Sequence, residues 1–252
     1  MSAKKKTGGR RSLSRREIID AALGVLEEQG ADALSLRRVA ERLGVAPNAL
    51  YTHVNGKEDL IDGLVDQVYA ELDLDPGPSE EWMQQMIDLS QSIRAHLLAH
   101  PAVVPFALQQ PGLGPHELRL GEAIFNVLRP AGFSDAGVVG TVYALLSYIL
   151  GFVALEVSRA SADPPSSDDF VRRLRAFFTA LPVAEFPQHV ELAPLLAPFS
   201  ADDQFQFGIR TFLVGLEAQH ARRDERQPDP LPSANGPVPR KTSRRRAGRK
   251  VK

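Results

Sequence analysis

Apolar residues recur every three or four positions along most of the chain, the spacing that places them on one face of an α-helix. The first of these segments follows Ser14, which precedes Glu17 by three residues in the arrangement of a capping box. It ends at Gly30, a residue suited to the left-handed conformation that closes many helices. Strict alternation of apolar and polar residues, which would indicate a strand, is not sustained for long. The pattern therefore predicts an all-α fold.

Three further helices complete a first compact unit. A short helix is predicted over 36–43 and ends at Gly44. Another is predicted over 47–53, and it begins with a proline, which the first turn of a helix tolerates. A longer helix follows the Asn-Gly turn, with two acidic residues near its positive end. We assign these helices to an N-terminal domain over 14–74.

A Pro-Gly-Pro segment separates this unit from a second run of helical patterns. We assign the second run to a C-terminal domain over 79–221. Its helices are predicted over 79–100, 102–109, 115–129, 135–160, 168–181 and 202–221. The flanking segments 1–13 and 222–252 are basic and lack an apolar face, so we predict that both are disordered.

The net charge of −1 conceals an uneven distribution along the chain. Residues 1–57 carry 11 Lys and Arg against 6 Asp and Glu, and residues 222–252 carry 11 against 3. Residues 58–221 carry 8 against 22. A polyanion such as DNA would be repelled by the middle of the chain and attracted to its ends. Because a basic terminus is often only a solvated tail, charge alone leaves both interpretations open.

Composition also limits the chemistry and the location. The chain has no cysteine, which excludes disulfides, thiolate nucleophiles and cysteine zinc sites. The basic N-terminus lacks the apolar core of a signal peptide, and the longest apolar segment, 138–157, is interrupted by Gly, Ser, Tyr and Glu residues. We therefore expect a cytoplasmic protein without a membrane span. Phosphate-binding loops and nucleophile elbows do not occur, and we expect no enzymatic activity, no cofactor and no metal.

The two short helices and the glycine turn between them have the arrangement of a helix-turn-helix, whose second helix enters the major groove of DNA. Short side chains at the start of this second helix allow it to approach base edges closely. They belong to Ala46, Pro47, Asn48 and Ala49. An asparagine here can pair with adenine, while small apolar groups can contact thymine methyls. Side chains placed to reach phosphates are those of Ser35, Arg37, Tyr51, Thr52, His53 and Lys57.

This region resembles the DNA-binding domain of the TetR family of transcriptional regulators. The resemblance is carried by LSLRRVAERLGVAPNALYTHVNGKEDL at 34–60, preceded by REIIDAALGVLEEQG at 16–30. Its most specific elements are the Leu-Gly-Val turn at 43–45, the Leu-Tyr-x-His-Val sequence at 50–54 and Lys57. The resemblance implies a homodimeric, all-helical regulator, most typically a repressor, that a small-molecule effector releases from a roughly palindromic DNA operator.

The resemblance also implies roles for individual positions. Arg37 and the residues at 47–49 match base-reading positions of the family's namesake, and Tyr51 and Lys57 match its phosphate contacts. The Pro-Asn-Ala sequence at 47–49 differs from the namesake's, however, so the operator sequence cannot be transferred.

A second resemblance concerns the dimer. The segments LLSYILGFVALE at 145–156 and FQFGIRTFLVGLE at 205–217 are similar to the two dimerising helices of tetracycline-repressor-type C-terminal domains. Both are more apolar than the surface of a monomer usually is. We therefore predict an interface of Leu145, Ile149, Phe152, Phe205, Ile209, Phe212 and Leu216. The alternative is that both helices are core helices of one bundle.

Candidate effector-binding residues are polar or aromatic side chains in the C-terminal domain, since buried polar groups need partners. They are His96, His100, Phe106, His116, Tyr143, Ser147 and Glu156. The first two histidines have a spacing able to hold a metal, but the glutamate of a metalloprotease is missing, and a cavity wall or helix end suits them better. Phe106 stands near the position of the metal-binding histidine of tetracycline repressors, which favours an effector more apolar than magnesium-tetracycline.

One alternative function follows from the basic ends. An architectural DNA-binding protein, driven by its basic tails, would bind without sequence preference. This alternative predicts that affinity depends on the two tails rather than on the helix over 47–53.

Overall fold

The computed structural model describes residues 13–75, 81–109, 114–162, 168–196 and 200–224, and within these ranges it contains helices and no strand. The α-helices are α1 (Arg15–Gln29), α2 (Leu36–Leu43), α3 (Lys57–Ala70), α4 (Trp82–Ala99), α5 (Val104–Ala107), α6 (Pro115–Leu128), α7 (Asp135–Ala162), α8 (Asp168–Thr179), α9 (Pro187–Leu196) and α10 (Ala201–Asp224). Two short 3-10 helices cover Ala31–Ala33 and Pro47–Thr52. The all-α prediction is confirmed. The predicted basic arm before residue 13 and the predicted tail beyond residue 224 lie outside the described residues.

The predicted helix boundaries in the N-terminal domain are set by capping groups. Ser14 accepts a hydrogen bond from the Glu17 amide, and the Glu17 carboxylate accepts one from the Ser14 amide, so the capping box is present. Gly44 closes α2 in the left-handed conformation, with φ 67° and ψ 30°. Gly30 also has a positive φ of 81°, but its ψ of 174° is extended rather than left-handed.

The helix predicted over 47–53 is a 3-10 helix, Pro47–Thr52, and not an α-helix. Hydrogen bonds at its two ends join residues three apart, as in a 3-10 helix: the Ala49 amide donates to the Ala46 carbonyl, and the His53 amide donates to the Leu50 carbonyl. So short a segment gains few hydrogen bonds from either helix type, and packing of the fully buried Leu50 holds it in place.

α3 belongs to both domains. Its side chains Leu60 and Leu64 are fully buried in the same continuous core as α1 and α2, and α3 also packs against α5 and α6 of the C-terminal domain. A rigid helix with one end in each domain transmits a change of orientation between them.

The C-terminal domain is a bundle in which α4 packs against α6, α7 and α10, and α7 packs against α5, α6 and α10. Among the described residues, the segment Asp135–Ala160 of α7 is long and apolar enough to cross a membrane by composition alone, with a mean hydropathy of 2.1. Sequence analysis identifies the apolar segment 138–157 within this helix and predicts no membrane span there. Only 28% of that apolar window is buried inside the protomer, so α7 presents apolar surface outward.

α8 and α9 pack against each other as a helical hairpin. Sequence analysis missed α9, because prolines stand at its start and at Pro194 within it, and proline removes a backbone donor from a helix. The hairpin keeps several large apolar side chains exposed, namely Phe177, Val183, Phe186, Leu192 and Leu195.

Candidate DNA-reading and effector-linked sites

The reading helix, Pro47–Thr52, packs on the core through one fully buried residue, Leu50, and its other residues are exposed or half-buried. Residues three apart eclipse one another in a 3-10 helix, so Asn48 and Tyr51 share one row and Ala49 and Thr52 share another. Leu50 is fully buried, whereas Asn48 is exposed and the Tyr51 side chain is 57% exposed. The row formed by Asn48 and Tyr51 is therefore the most accessible edge of this helix.

Several of the predicted DNA contacts already have partners within the N-terminal domain over 14–74, called the reading head from here on. Thr52 donates its hydroxyl hydrogen to the Ala49 carbonyl, and Ser35 accepts a hydrogen bond from the Arg38 amide as the cap of α2. Arg37 forms an ion pair with Glu41 at 3.0 Å, but the Arg37 side chain is highly exposed. Such exposed pairs contribute little, so Arg37 can exchange Glu41 for a phosphate or base at small cost.

The remaining predicted contacts differ in exposure. Ala46, Pro47 and Lys57 are exposed, while Ala49 and His53 are half-buried. The assignment of these residues to DNA stays a prediction.

A network that sequence analysis missed fixes the end of the reading helix. Arg15 of α1 donates to the His53 carbonyl at 3.0 Å and to the Asp59 carboxylate at 2.6 Å. The other carboxylate oxygen of Asp59 accepts the Asn55 amide at 2.7 Å. The hydrogen bond from Arg15 holds the pKa of Asp59 below its ordinary value. Three separate segments are thus joined at the exit of the reading helix.

We expect Asp59→Asn to lower the free energy of unfolding by about 1 kcal/mol, because a charge-assisted hydrogen bond is lost at a partly exposed site. Operator affinity should also fall, since Arg15, which binds the His53 carbonyl at the end of the reading helix, loses its carboxylate partner. Asp62→Asn removes the same charge from the same helix, and Asp62 is exposed, so it serves as the control. Because the pKa of Asp59 is lowered, the difference from wild type should be present at neutral pH and should vanish as the pH falls through that lowered pKa. Thermal melts at several pH values test this, and equal effects of the two variants would contradict it.

Three predicted effector residues lie at the boundary between the domains rather than in a cavity. A ring nitrogen of His96 donates to the Val68 carbonyl of α3 at 2.6 Å. His100 pairs with Glu27 of α1 at 3.1 Å, and His116 pairs with Asp66 of α3 at 2.8 Å. Their polar atoms face the N-terminal domain, and His100 is the C-terminal cap of α4, as the helix-end interpretation expects. The assignment of the three histidines to an effector stays a prediction.

The other predicted effector residues are dispersed. Tyr143 and Ser147 are exposed on the outer side of α7, where the Tyr143 side chain is 74% exposed, so they do not line an interior cavity. Phe106 is half-buried in α5 and packs against the core. Glu156 accepts two hydrogen bonds from Arg94 of α4, at 2.7 and 2.9 Å. The structure does not gather these side chains into one site.

Arg94 forms a junction of three helices that sequence analysis also missed. Besides Glu156 of α7, it bonds to Asp202 of α10 at 2.7 Å. Its guanidinium lies 5.0 Å from the centre of the Phe205 ring, within the range of a cation–π interaction. The side chains of Arg94 and Glu156 are 12% and 18% exposed, so the bond between α4 and α7 is largely desolvated, whereas Asp202 of α10 is exposed.

Four of the predicted dimer contacts face the interior of the protomer. Leu145, Ile149, Phe205 and Ile209 are at most 1% exposed, so they cannot touch a partner while the core is intact. The prediction is wrong for these residues, because the most apolar stripe of each helix packs against the protomer's own core. Phe152, Phe212 and Leu216 are half-buried. The exposed large apolar side chains of the two helices are Val139, Tyr143, Leu155, Phe207 and Val214.

Recesses border these helices. A groove of about 530 Å³ runs between α7 and α10, and its walls include Gly140, Ala144 and Gly215. Two recesses of about 370 and 820 Å³ lie beside α4 and α6 and share Gln85, Asn126 and Val127, so they adjoin. Trp82 and Met83 contribute apolar walls to the larger one, and Arg119 and Glu122 contribute charge to the smaller.

The first turn of α6 lies among acidic groups. Glu117 accepts a hydrogen bond from the Gly114 amide, which stabilises its carboxylate, but burial raises the pKa of Glu117 and the nearby carboxylates of Asp66 and Asp62 raise it further. Burial also raises the pKa of Tyr69.

We expect Glu117→Gln to raise the melting temperature at pH 7, because glutamine keeps an acceptor for Gly114 without a disfavoured charge. A carboxyl whose pKa is raised by folding loses its stabilising contribution as the pH rises from its unfolded pKa through its folded pKa. The difference in melting temperature between the variant and wild type should therefore grow as the pH rises from about 4, where an unperturbed glutamate titrates, to 7. Paired thermal melts measure it, and a difference that is constant with pH would refute the assignment.

Comparison with known proteins agrees with this architecture. The family described as "Bacterial regulatory proteins, tetR family" matches residues 18–64, and "Tetracyclin repressor-like, C-terminal domain" matches residues 75–220. An HTH-type transcriptional regulator of Saccharopolyspora erythraea is 34% identical over 57% of this chain, and the match spans 61% of that relative, less than two thirds of its length. The HTH-type transcriptional repressor DrrR1 of Streptomyces coeruleorubidus is 27% identical over 86% of this chain and 82% of its own.

Solved structures show the same fold. Apo ActR from Streptomyces coelicolor superposes with a TM-score of 0.75 at 28% identity, covering 84% of this chain and 98% of that one. ActR in complex with actinorhodin gives a TM-score of 0.75, covering 83% and 97%. The second family match alone spans more than half of the chain, and the helix-turn-helix lies where the first match places it. The chain therefore belongs to the TetR family of transcriptional regulators.

Proposed function

We propose that the protein is a homodimeric repressor that binds a roughly palindromic operator and is released from it by a small-molecule effector. The observation that carries this function is the reading helix, which is anchored by buried Leu50 and presents Asn48 and Tyr51 outward. Two such helices in a dimer would enter successive major grooves about one turn, or a multiple of one turn, apart. The alternative, an architectural protein driven by its tails, rests on segments outside the described residues.

The outward faces of α7 and α10 support a dimer interface different from the one first predicted. Tyr143, Phe207 and Val214 are more than half exposed, and an apolar surface of this kind on a soluble regulator marks a contact with another protein. The groove between the two helices has small residues in its walls, which leave room for protruding side chains of a second copy. This arrangement also accounts for the membrane-like hydropathy of α7 in a protein that we place in the cytoplasm.

We place the effector between α4 and α6. The adjoining recesses there combine the apolar walls of Trp82 and Met83 with the amides of Gln85 and Asn126, the mixture typical of small-molecule sites. A flat, rather apolar molecule with a few polar groups fits this lining. ActR, which is similar in structure, has been solved with actinorhodin.

Effector binding would release the operator only through a difference in affinity for two conformations. In the conformation that binds the effector more tightly, α3 holds the two reading helices at a spacing that no longer matches the half-sites. The effector and the operator would then weaken each other's binding by the same factor.

A mobility-shift assay on DNA upstream of the protein's own gene tests the function. The full chain and a chain lacking residues 1–12 and 225–252 are titrated against this DNA and against a shuffled sequence. We expect both to prefer the upstream DNA, with the shorter chain showing a weaker salt dependence because it neutralises fewer phosphates. Loss of all binding on removal of the tails, with no effect of Asn48→Ala or Tyr51→Ala, would instead establish the architectural alternative.

A further inference from the structure

Asp66 of α3 makes a contact that neither DNA binding nor the core requires. One of its carboxylate oxygens accepts the backbone amide of His116 at 2.8 Å, and the other accepts the Nδ1 hydrogen of the same residue at 2.8 Å. Asp66 lies in the helix that carries the reading head, whereas His116 lies in the first turn of α6 in the C-terminal domain. Both oxygens of one side chain thus bind the end of a helix in the other domain.

The sequence of α6 itself supplies Glu117 as an acceptor for the Gly114 amide but no side chain that caps the following amides. The residue at its N-cap, Gly114, has no side chain, and Pro115 has no amide hydrogen. His116 therefore carries the first free amide of the helix, at the end where the peptide dipoles favour a negative charge. A Cβ atom added at Gly114 would overlap the Asp66 carboxylate, so the glycine also permits the close approach. The acceptor for the His116 amide is therefore supplied by α3.

A second helix of the C-terminal domain, α4, also binds α3 close to Asp66. His96 of α4 donates to the carbonyl of Val68, two residues beyond Asp66. Towards its start, α3 packs closely on α1, where Gly63 faces Ile19, and Asp59 binds Arg15. A shift of the start of α6 would therefore be passed to α3, and α3 would carry the head with it.

We propose that Asp66 is the positioning residue that couples α6 to the reading head, so that α6 and α3 move as one unit. This inference rests on the proposed function, in which an effector bound against α6 reorients the heads. Asp66 lies outside the reading helix and does not line the larger recess beside α4, and it acts through the first turn of α6.

The first experiment needs neither the effector nor the operator. The chain has no cysteine, so the exposed Asp32 can be changed to cysteine and spin-labelled, which gives one label per head in the dimer. The distribution of distances between the two labels is measured for the Asp32→Cys chain alone. It is then compared with that of the same labelled chain carrying Asp66→Ala, Asp66→Asn or Asp62→Asn. We expect Asp66→Ala to broaden it about twofold, Asp66→Asn to broaden it less because one acceptor remains, and Asp62→Asn to leave it unchanged.

The second experiment separates coupling from simple capping. Hydrogen exchange of the peptide around residues 114–120 is followed with and without the upstream DNA. In the wild type, DNA binding should slow this exchange, whereas in Asp66→Ala exchange should be faster by on the order of tenfold and insensitive to DNA. If Asp66 only capped α6, its loss would speed exchange but DNA would have no effect in the wild type either.

Two results would overturn the coupling role: an unchanged distance distribution in Asp66→Ala, or wild-type exchange at 114–120 that does not respond to bound DNA. A different failure, in which the wild type shows no preference for the upstream DNA, would count against the proposed function. The distance measurement contains no DNA, so it still decides the role of Asp66 in that case.

Discussion

Asn48→Ala is expected to lower operator affinity by about 30-fold to 10⁴-fold, the largest effect of any single change in the reading helix. A bidentate contact between an asparagine and adenine contributes about 1–3 kcal/mol of discrimination, and a dimer loses it in both half-sites. Asn48 is exposed and shares a row with Tyr51, while Leu50 keeps the helix anchored, so folding should be unaffected. Fluorescence anisotropy with operator and shuffled DNA measures the change.

Lys57→Ala is the informative comparison, because Lys57 is exposed and is assigned to a phosphate. It should weaken binding to both DNAs alike and reduce the salt dependence by about 1 unit of slope per contact. Asn48→Ala should weaken only the specific complex. If the two variants weaken both DNAs to the same extent, Asn48 does not read a base.

Phe207→Asp is expected to convert the dimer into monomers at micromolar concentration and to reduce operator affinity more than 100-fold. The Phe207 side chain is 69% exposed on α10, so the change puts a charge into the proposed interface without opening the protomer core. Operator binding falls because a monomer reads one half-site, and the two half-site energies no longer add.

Leu118→Asp provides the control, since Leu118 is 55% exposed on α6 and lies outside the proposed interface. Light scattering after size exclusion should give a monomer mass for Phe207→Asp and a dimer mass for Leu118→Asp. A Phe207→Asp chain that remains dimeric would show that the protomers meet through another surface.

The parts of the structure that sequence analysis predicted well depend on neighbouring residues. The Ser14–Glu17 capping box and the left-handed Gly44 involve groups within one turn of each other, and their geometry follows from the residue types. The boundaries of α2 and the exposure of Asn48 and Tyr51 also follow from the types of the neighbouring residues. The tighter winding of the reading helix departed from the pattern, since six residues are too few to favour one helix type by periodicity. Gly30 departed as well, because its positive φ is combined with an extended ψ.

The missed features join residues far apart in the chain. His116 binds Asp66, which lies 50 positions away, and Arg94 binds Glu156, which lies 62 positions away. The spacing of residues within one helix does not predict a partner in another helix. Neither interpretation of the histidines, a cavity wall or a helix end, names a partner in the other domain. Likewise, the apolar stripes of α7 and α10 showed which positions are buried but not whether the covering surface is the protomer's own core or a second copy.

A hydroxyl-radical footprint of the full chain on the DNA upstream of its own gene tests the central claim most directly. The account predicts two protected segments related by a dyad, separated by about one helical turn or a multiple of it, and abolished together by Asn48→Ala. The account would be contradicted by continuous protection that shows no spacing by helical turns. Such protection would be unchanged by Asn48→Ala and removed by deleting the basic ends.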